Sequence, residues 1–196
     1  MRRFLLLVLL LLAPEIQPAS YDRDFTNDTM RVDYFHTGGP RSGETFSLDQ
    51  VVNDGAWPGS RTQLIDDTNL GPYKFDVRDA EGRVLYSRGF ASIYGEWETT
   101  AEARSAHRTF HESLRFPWPR RPVTVTVYKR GPDNAFQSVW TTDIDPDSRF
   151  VNRATIARHA GRVVPLFENG SPSEKVDLLL ISDGYTEAEL SKFRAD

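Results

Sequence analysis

From Thr29 to Asp145 apolar and polar residues mostly alternate, the period expected of strands with one face buried. Val32, Tyr34 and His36 alternate with polar neighbours, and Phe46 and Leu48 do the same ahead of a predicted turn at Asn53-Asp54-Gly55. Tyr73, Phe75 and Val77 lead into Asp79-Ala80-Glu81-Gly82, after which Val84 and Tyr86 return; this reads as a hairpin with Gly82 available for positive φ. Val123, Val125 and Val127 alternate with Thr124, Thr126 and Tyr128, and Gly131-Pro132-Asp133-Asn134 turns that strand back into Phe136–Ile144. One helical interruption is predicted at Thr99–Glu102, where Thr99 and Glu102 have capping-box spacing. Short strands with frequent turn signals predict a mainly β protein, an antiparallel β-sandwich.

Both ends of the chain break this pattern. Arg2 and Arg3 precede an unbroken apolar run from Phe4 to Ala13. As a helix that run would span roughly 15 Å, half the thickness of a bilayer's hydrocarbon core, so it reads as a secretory signal peptide. At the other end Val176-Asp177-Leu178-Leu179-Leu180-Ile181 is nearly continuous apolar sequence, the signature of a strand buried on both faces. Ser182–Tyr185 then makes a turn, and Thr186 with Glu189 forms a second capping box ahead of Leu190 and Phe193. A buried strand needs neighbours on both edges, and a parallel neighbour must follow a crossover helix. The segment is therefore expected to open an α/β domain carried by a longer chain; the alternative is an appendage on the sandwich.

Composition narrows the chemistry. The 196 residues include no cysteine, which removes disulfides, thiolate metal sites and thiol nucleophiles. A formal charge of −4 supplies no general basic field for nucleic acid. His107 and His111 have the i, i+4 spacing of a zinc-binding helix, but Arg108 stands where H-E-x-x-H requires glutamate. If Thr109–Phe116 is a strand, as it reads, the two rings lie about 13 Å apart. Asp143, Asp145 and Asp147 alternate like the first ligands of a calcium loop, yet Ser148 replaces the glycine at position six and Ala154 the glutamate at position twelve. An aspartate-rich turn is the plainer reading. Trp57 and Trp118 sit in proline-rich strand ends, where they plug the open core or, if exposed, stack on sugars. His36 and His159 have no evident nucleophile in the sequence. No catalytic, cofactor-binding or metal-binding residue is assigned from these patterns.

Several short motifs occur in an order that carries more weight than any one of them. They are Tyr34-Phe35-His36-Thr37-Gly38, Ala56-Trp57-Pro58-Gly59, Leu70-Gly71-Pro72-Tyr73, Ser87-Arg88-Gly89-Phe90, Glu96-Trp97-Glu98-Thr99-Thr100 and Ser113-Leu114-Arg115-Phe116-Pro117. Together they resemble the N-terminal domain of the bacterial IgA peptidase-type zinc metallopeptidases. Lys175–Leu178 and Asp183–Glu189 resemble the start of that family's catalytic domain. The resemblance implies a secreted or periplasmic β-sandwich ahead of a zincin-like peptidase domain. There, an H-E-x-x-H helix would supply two zinc ligands and a general base. No such motif occurs in this sequence, so no zinc ligand is carried over, and the chain alone is expected to bind no catalytic zinc.

The resulting expectation divides the chain into a signal peptide (residues 1–19), a sandwich domain (20–148), a linker (149–173) and the first βα segment of a truncated catalytic domain (174–196). Its partners would be the remaining catalytic domain and the protein substrate of the complete enzyme, with no nucleic acid and no stable membrane span. The rival is a free-standing secreted module that recognises glycans or protein surfaces through Trp57, Trp97, Trp118 or Trp140. A third reading is an adhesion domain stabilised by calcium at Asp143, Asp145 and Asp147.

Overall fold

Inward-facing alternate residues build two four-stranded sheets. In the computed structural model β1 (Phe25–Gly39), β2 (Gly43–Ala56), β5 (Arg108–Pro119) and β8 (Val151–Asn152) associate in the order β5-β1-β2-β8. The second sheet runs β4-β3-β6-β7, from β3 (Tyr73–Arg78), β4 (Val84–Phe90), β6 (Val123–Arg130) and β7 (Phe136–Ile144). All pairings are antiparallel except that of β2 with β8, which joins the sheet just beyond the expected domain boundary. The structure describes residues 18–40, 42–154, 164–171, 174–176, 178–181 and 183–195. Residues 1–17 of the expected leader, and His159, Pro172, Ser173, Asp177 and Ser182, lie outside the described residues.

The core sits between the sheets and follows the period-two pattern. Met30, Val32 and Tyr34 of β1 meet Phe75, Val77, Val125 and Val127 of the opposite sheet, all essentially sealed from solvent. On the outer face of β6, Thr124 donates to Asp143 and Thr126 bonds Thr141 of β7, so the cross-strand pairs of that face are polar. Gly82 turns the β3–β4 hairpin at φ +81°.

Two local expectations are corrected. Asn53-Asp54-Gly55 does not end a strand; it forms a bulge inside β2, where the register against β1 shifts. The Asn53 Oδ1 accepts the Gly55 amide at 2.8 Å, and Gly55 takes φ +88°, so turn chemistry is absorbed without breaking the ladder. A short α1 (Tyr21–Asp24) precedes β1, and the helical interruption begins earlier than Thr99, at α2 (Ile93–Trp97), with Ser92 as its N-cap accepting from the Gly95 amide; the expected position carries only a 3-10 turn, Glu102–Arg104. Thr99 instead donates back to the Glu96 carbonyl, and Glu102 takes the Trp97 indole N–H and Arg108.

The C-terminal strand is not formed among the described residues. Val176, Leu178, Leu179, Leu180 and Ile181 are 55–95% exposed. No described strand pairs with them, and an isolated strand in water has neither ladder bonds nor apolar cover. The turn and helix start that follow do form: Thr186 and Glu189 complete the capping box ahead of α3 (Leu190–Phe193).

Phe116 is fully buried and its ring meets those of Phe75 and Tyr86 from the facing sheet. Phe116→Ala is expected to lower unfolding free energy by about 3–5 kcal/mol in chemical denaturation, from lost transfer energy and the cavity left behind. Deleting residues 164–196 is expected to leave the denaturation midpoint unchanged, because the apolar run contributes no buried surface to the sandwich.

Candidate functional site

At one end of the sandwich the alternating pattern delivers charged side chains, not apolar ones, to the interior. His36 follows Val32 and Tyr34 on the inward face of β1, Glu112 precedes Leu114 and Phe116 on that of β5, and Glu44 precedes Phe46 on β2. His36 is 0% exposed, and both ring nitrogens end on carboxylates: Nδ1 lies 3.2 Å from Glu112 and Nε2 2.9 Å from Glu44. Its faces are covered by Phe46 and Tyr94, with ring centroids 4.0 and 3.9 Å away. An imidazolium fits this setting, since only the charged ring offers a proton to each carboxylate and gains from the aromatic faces.

The carboxylates are satisfied by other donors as well. Glu112 receives the Tyr34 hydroxyl at 2.9 Å, the Ser92 hydroxyl at 2.7 Å and the Tyr94 amide at 3.1 Å. Glu44 receives the Tyr73 hydroxyl at 2.8 Å and lies 3.5 Å from Lys129, which also pairs with Glu98 at 2.8 Å. The Lys129 ammonium lies over the Tyr73 and Tyr94 rings. The network thus ties α2 and strands from both sheets to one another. Gly38 permits this approach: a Cβ there would collide with the Tyr94 ring, which has to lie flat on β1 to cover His36.

Protonation follows from these contacts. Burial pushes the His36 pKa down, but the bonds and charges of Glu112 and Glu44 outweigh it and the net shift is upward. Burial pushes Glu112 up, while bonds from His36, Ser92, the Tyr94 amide and Tyr34 bring it down to about 2. Glu44 is lowered in the same way, against burial, by His36, Tyr73 and Lys129. Burial raises Tyr34 and Tyr73, and Tyr94 reaches about 12, so all three phenols stay neutral.

Ser92, His36 and Glu44 form a chain that superficially matches a nucleophile, base and orienting acid, with Ser92 Oγ 3.3 Å from His36 Nδ1. It is not arranged for catalysis. A general base needs a free ring nitrogen, whereas both His36 nitrogens lie against carboxylates; Ser92 is 3% exposed and its proton points to Glu112. The cluster is a structural pin.

The residues singled out in the sequence are not brought together here. Among the described residues no group of three His, Cys, Asp or Glu side chains could hold a metal ion. His111 lies on strand β5, half exposed, against Asp49 at 3.1 Å, and His107 precedes that strand beneath Gly39. Asp143 accepts from Thr124, Asp145 accepts the Asp147 amide, and Asp147 pairs with Arg153; the three close β7 as a turn. None of the four tryptophans is exposed. Trp97 and Trp118 are buried, while half-buried Trp57 abuts Tyr86 and half-buried Trp140 stacks on Phe46. They fill the core ends and offer no shared platform for a sugar.

Sequence reasoning passed over Glu44, Ser92, Glu112 and Lys129. A signal was present for the two glutamates, because each occupies an inward position of an apolar alternation, where an ionisable group needs a partner. Ser92 and Lys129 carried none.

Two outcomes are expected from this geometry. Glu112→Ala leaves His36 buried with one carboxylate lost and should cost about 3–5 kcal/mol in denaturant unfolding. The pH profile of the melting temperature should also bend on both sides. Glu44 and Glu112, with lowered pKa, stabilise fully above about 4.5 and lose that contribution as pH falls toward 2. His36, with raised pKa, stabilises fully below about 6.5 and loses it as pH climbs through its folded value. The decline that sets in above about pH 6.5 should therefore flatten in His36→Gln.

Comparison with known proteins places this architecture. No curated protein matches the chain. A family described as the N-terminus of peptidase M64 matches residues 20–141, more than half of the chain and nearly the whole sandwich. The chain therefore belongs to the peptidase M64 N-terminus family.

Proposed function

We propose that this chain is the non-catalytic N-terminal portion of a secreted zinc metallopeptidase, exported by its apolar leader into the periplasm or medium. The observation that carries the reading is the coincidence of the family match, residues 20–141, with the sandwich from Tyr21 to Ile144. The sandwich (20–148) would be a packing and positioning domain, residues 149–173 a linker, and 174–196 the opening βα segment of the catalytic domain. The exposure of Val176 and Leu178–Ile181 supports that assignment, since a continuous apolar strand is covered only inside a sheet flanked on both faces.

Zinc belongs to the catalytic domain in this reading. The described residues of this chain do not fit it: both His36 nitrogens are occupied by carboxylates, and His111 faces a lone aspartate on a strand. No step of peptide hydrolysis is assigned to the sandwich. Its contribution would be to present a rigid frame, pinned at the His36 end, beside the domain that carries the chemistry.

The coding sequence beyond Asp196 tests the reading directly. An in-frame continuation encoding an H-E-x-x-H helix is the expected result. A stop codon at that point, with no such motif in the adjacent sequence, would overturn it. In parallel, the purified 196-residue chain is expected to retain no stoichiometric zinc by elemental analysis after dialysis; one equivalent of tightly held zinc would contradict the assignment.

A further inference from the structure

The buried hydroxyl of Ser92 stands within reach of two acceptors that compete for its single proton. Its Oγ is 2.7 Å from Glu112 Oε1 and 3.3 Å from His36 Nδ1, and it also accepts the Gly95 amide at 3.1 Å as the N-cap of α2. While His36 is doubly protonated, Nδ1–H points at Glu112 and leaves the Ser92 proton for Glu112 as well. When the ring is neutral, one nitrogen has to become an acceptor. Nε2 keeps its proton because Glu44 lies closer, at 2.9 Å, and because among the described residues no hydroxyl is hydrogen-bonded to Nε2, the Tyr73 hydroxyl being given to Glu44. Nδ1 then faces the Glu112 carboxylate with a lone pair, and the hydroxyl that can relieve this is Ser92.

We propose that Ser92 is a proton-controlled relay: its hydroxyl donates to Glu112 while His36 carries both ring protons, and turns to His36 Nδ1 when the ring is neutral, so that docking of α2 on the sandwich follows pH. The proton lost from Nδ1 passes to solvent. Glu112 thereby loses two donors at once and keeps the Tyr34 hydroxyl and the Tyr94 amide. Among the described residues no other cation replaces it, because Lys129 serves Glu44 and Glu98. A buried carboxylate stripped of its counter-charge is costly, and the cost falls on the contact that holds the first turn of α2. The remaining groups that face His36 do not substitute. Tyr34 of β1, Tyr73 of β3 and Tyr94 of α2 stay neutral through this range, and Glu98, just past α2, shares the negative sign of Glu44 and Glu112. The relay uses no feature of the peptidase reading and stands or falls separately from it.

Nitrogen-detected NMR of the His36 ring in the intact 196-residue chain, from pH 5 to 9, tests the relay. The expected result is a doubly protonated ring at low pH that becomes the Nε2–H tautomer, while protection of the Tyr94 amide from hydrogen exchange falls about tenfold across the same transition. Ser92→Ala is expected to raise the His36 midpoint by about one pH unit, because neutral Nδ1 then has no donor. Ser92→Thr, which keeps the hydroxyl, should restore it. An Nδ1–H tautomer at high pH, or Tyr94 protection indifferent to the titration, would overturn the proposal. So would a Ser92→Ala variant that loses stability with the midpoint unmoved, since that is the behaviour of a helix cap alone. If Ser92→Ala does not fold, the wild-type tautomer and the Tyr94 exchange profile still decide the question.

Discussion

The interaction on which one end of this fold depends is a buried histidine held between two carboxylates inside a β-sandwich. Its parts come from distant positions of the chain: His36 and Glu44 flank the β1–β2 turn, Glu112 arrives on β5, and Lys129 on β6. None of these groups is stable alone in an apolar interior, because each would leave a charge without water or partner. Together they satisfy each other, and the surrounding Tyr34, Tyr73 and Ser92 fill the remaining acceptor positions. The arrangement is cooperative in a strict sense: removal of one member leaves the others buried and unpaired.

The pin also explains why the connection between β4 and β5 is ordered. That connection has only a short helix and a 3-10 turn, too little to be stable by propensity. Ser92 caps the helix and bonds Glu112, the Tyr94 amide bonds the same carboxylate, and the Tyr94 ring covers His36 over Gly38. The helix is therefore fixed by tertiary contacts through its first turn. Rigidity at this end of the sandwich comes from polar satisfaction as well as from apolar packing.

Much of the sandwich was legible in the alternation of residues. The Val123–Val127 strand, the Gly82 hairpin and the return strand Phe136–Ile144 all appear where the pattern put them. Misreadings arose where local chemistry admits two outcomes. Asn53-Asp54-Gly55 has the composition of a turn and of a bulge, and only the pairing with β1 that continues on both sides of it, at Asn53 and at Ala56, selects the bulge. Thr99 and Glu102 have capping spacing, but Ser92 won the helix start because Glu112 stands opposite it.

The candidate site divides along the same line. Sequence alone placed His36 in phase with Val32 and Tyr34, since side-chain direction in a strand alternates strictly and the apolar neighbours set the phase. It determined the absence of thiol chemistry, and it carried the family resemblance in the order of short motifs. Which carboxylates would meet which imidazole nitrogen was decided only by tertiary structure. That choice depends on strand order and register across two sheets, and on the seating of α2 against β1 and β5, none of which is encoded within any one segment. The same holds for Val176–Ile181, whose apolar character is written in the sequence but whose strand forms only where neighbouring strands supply its hydrogen bonds.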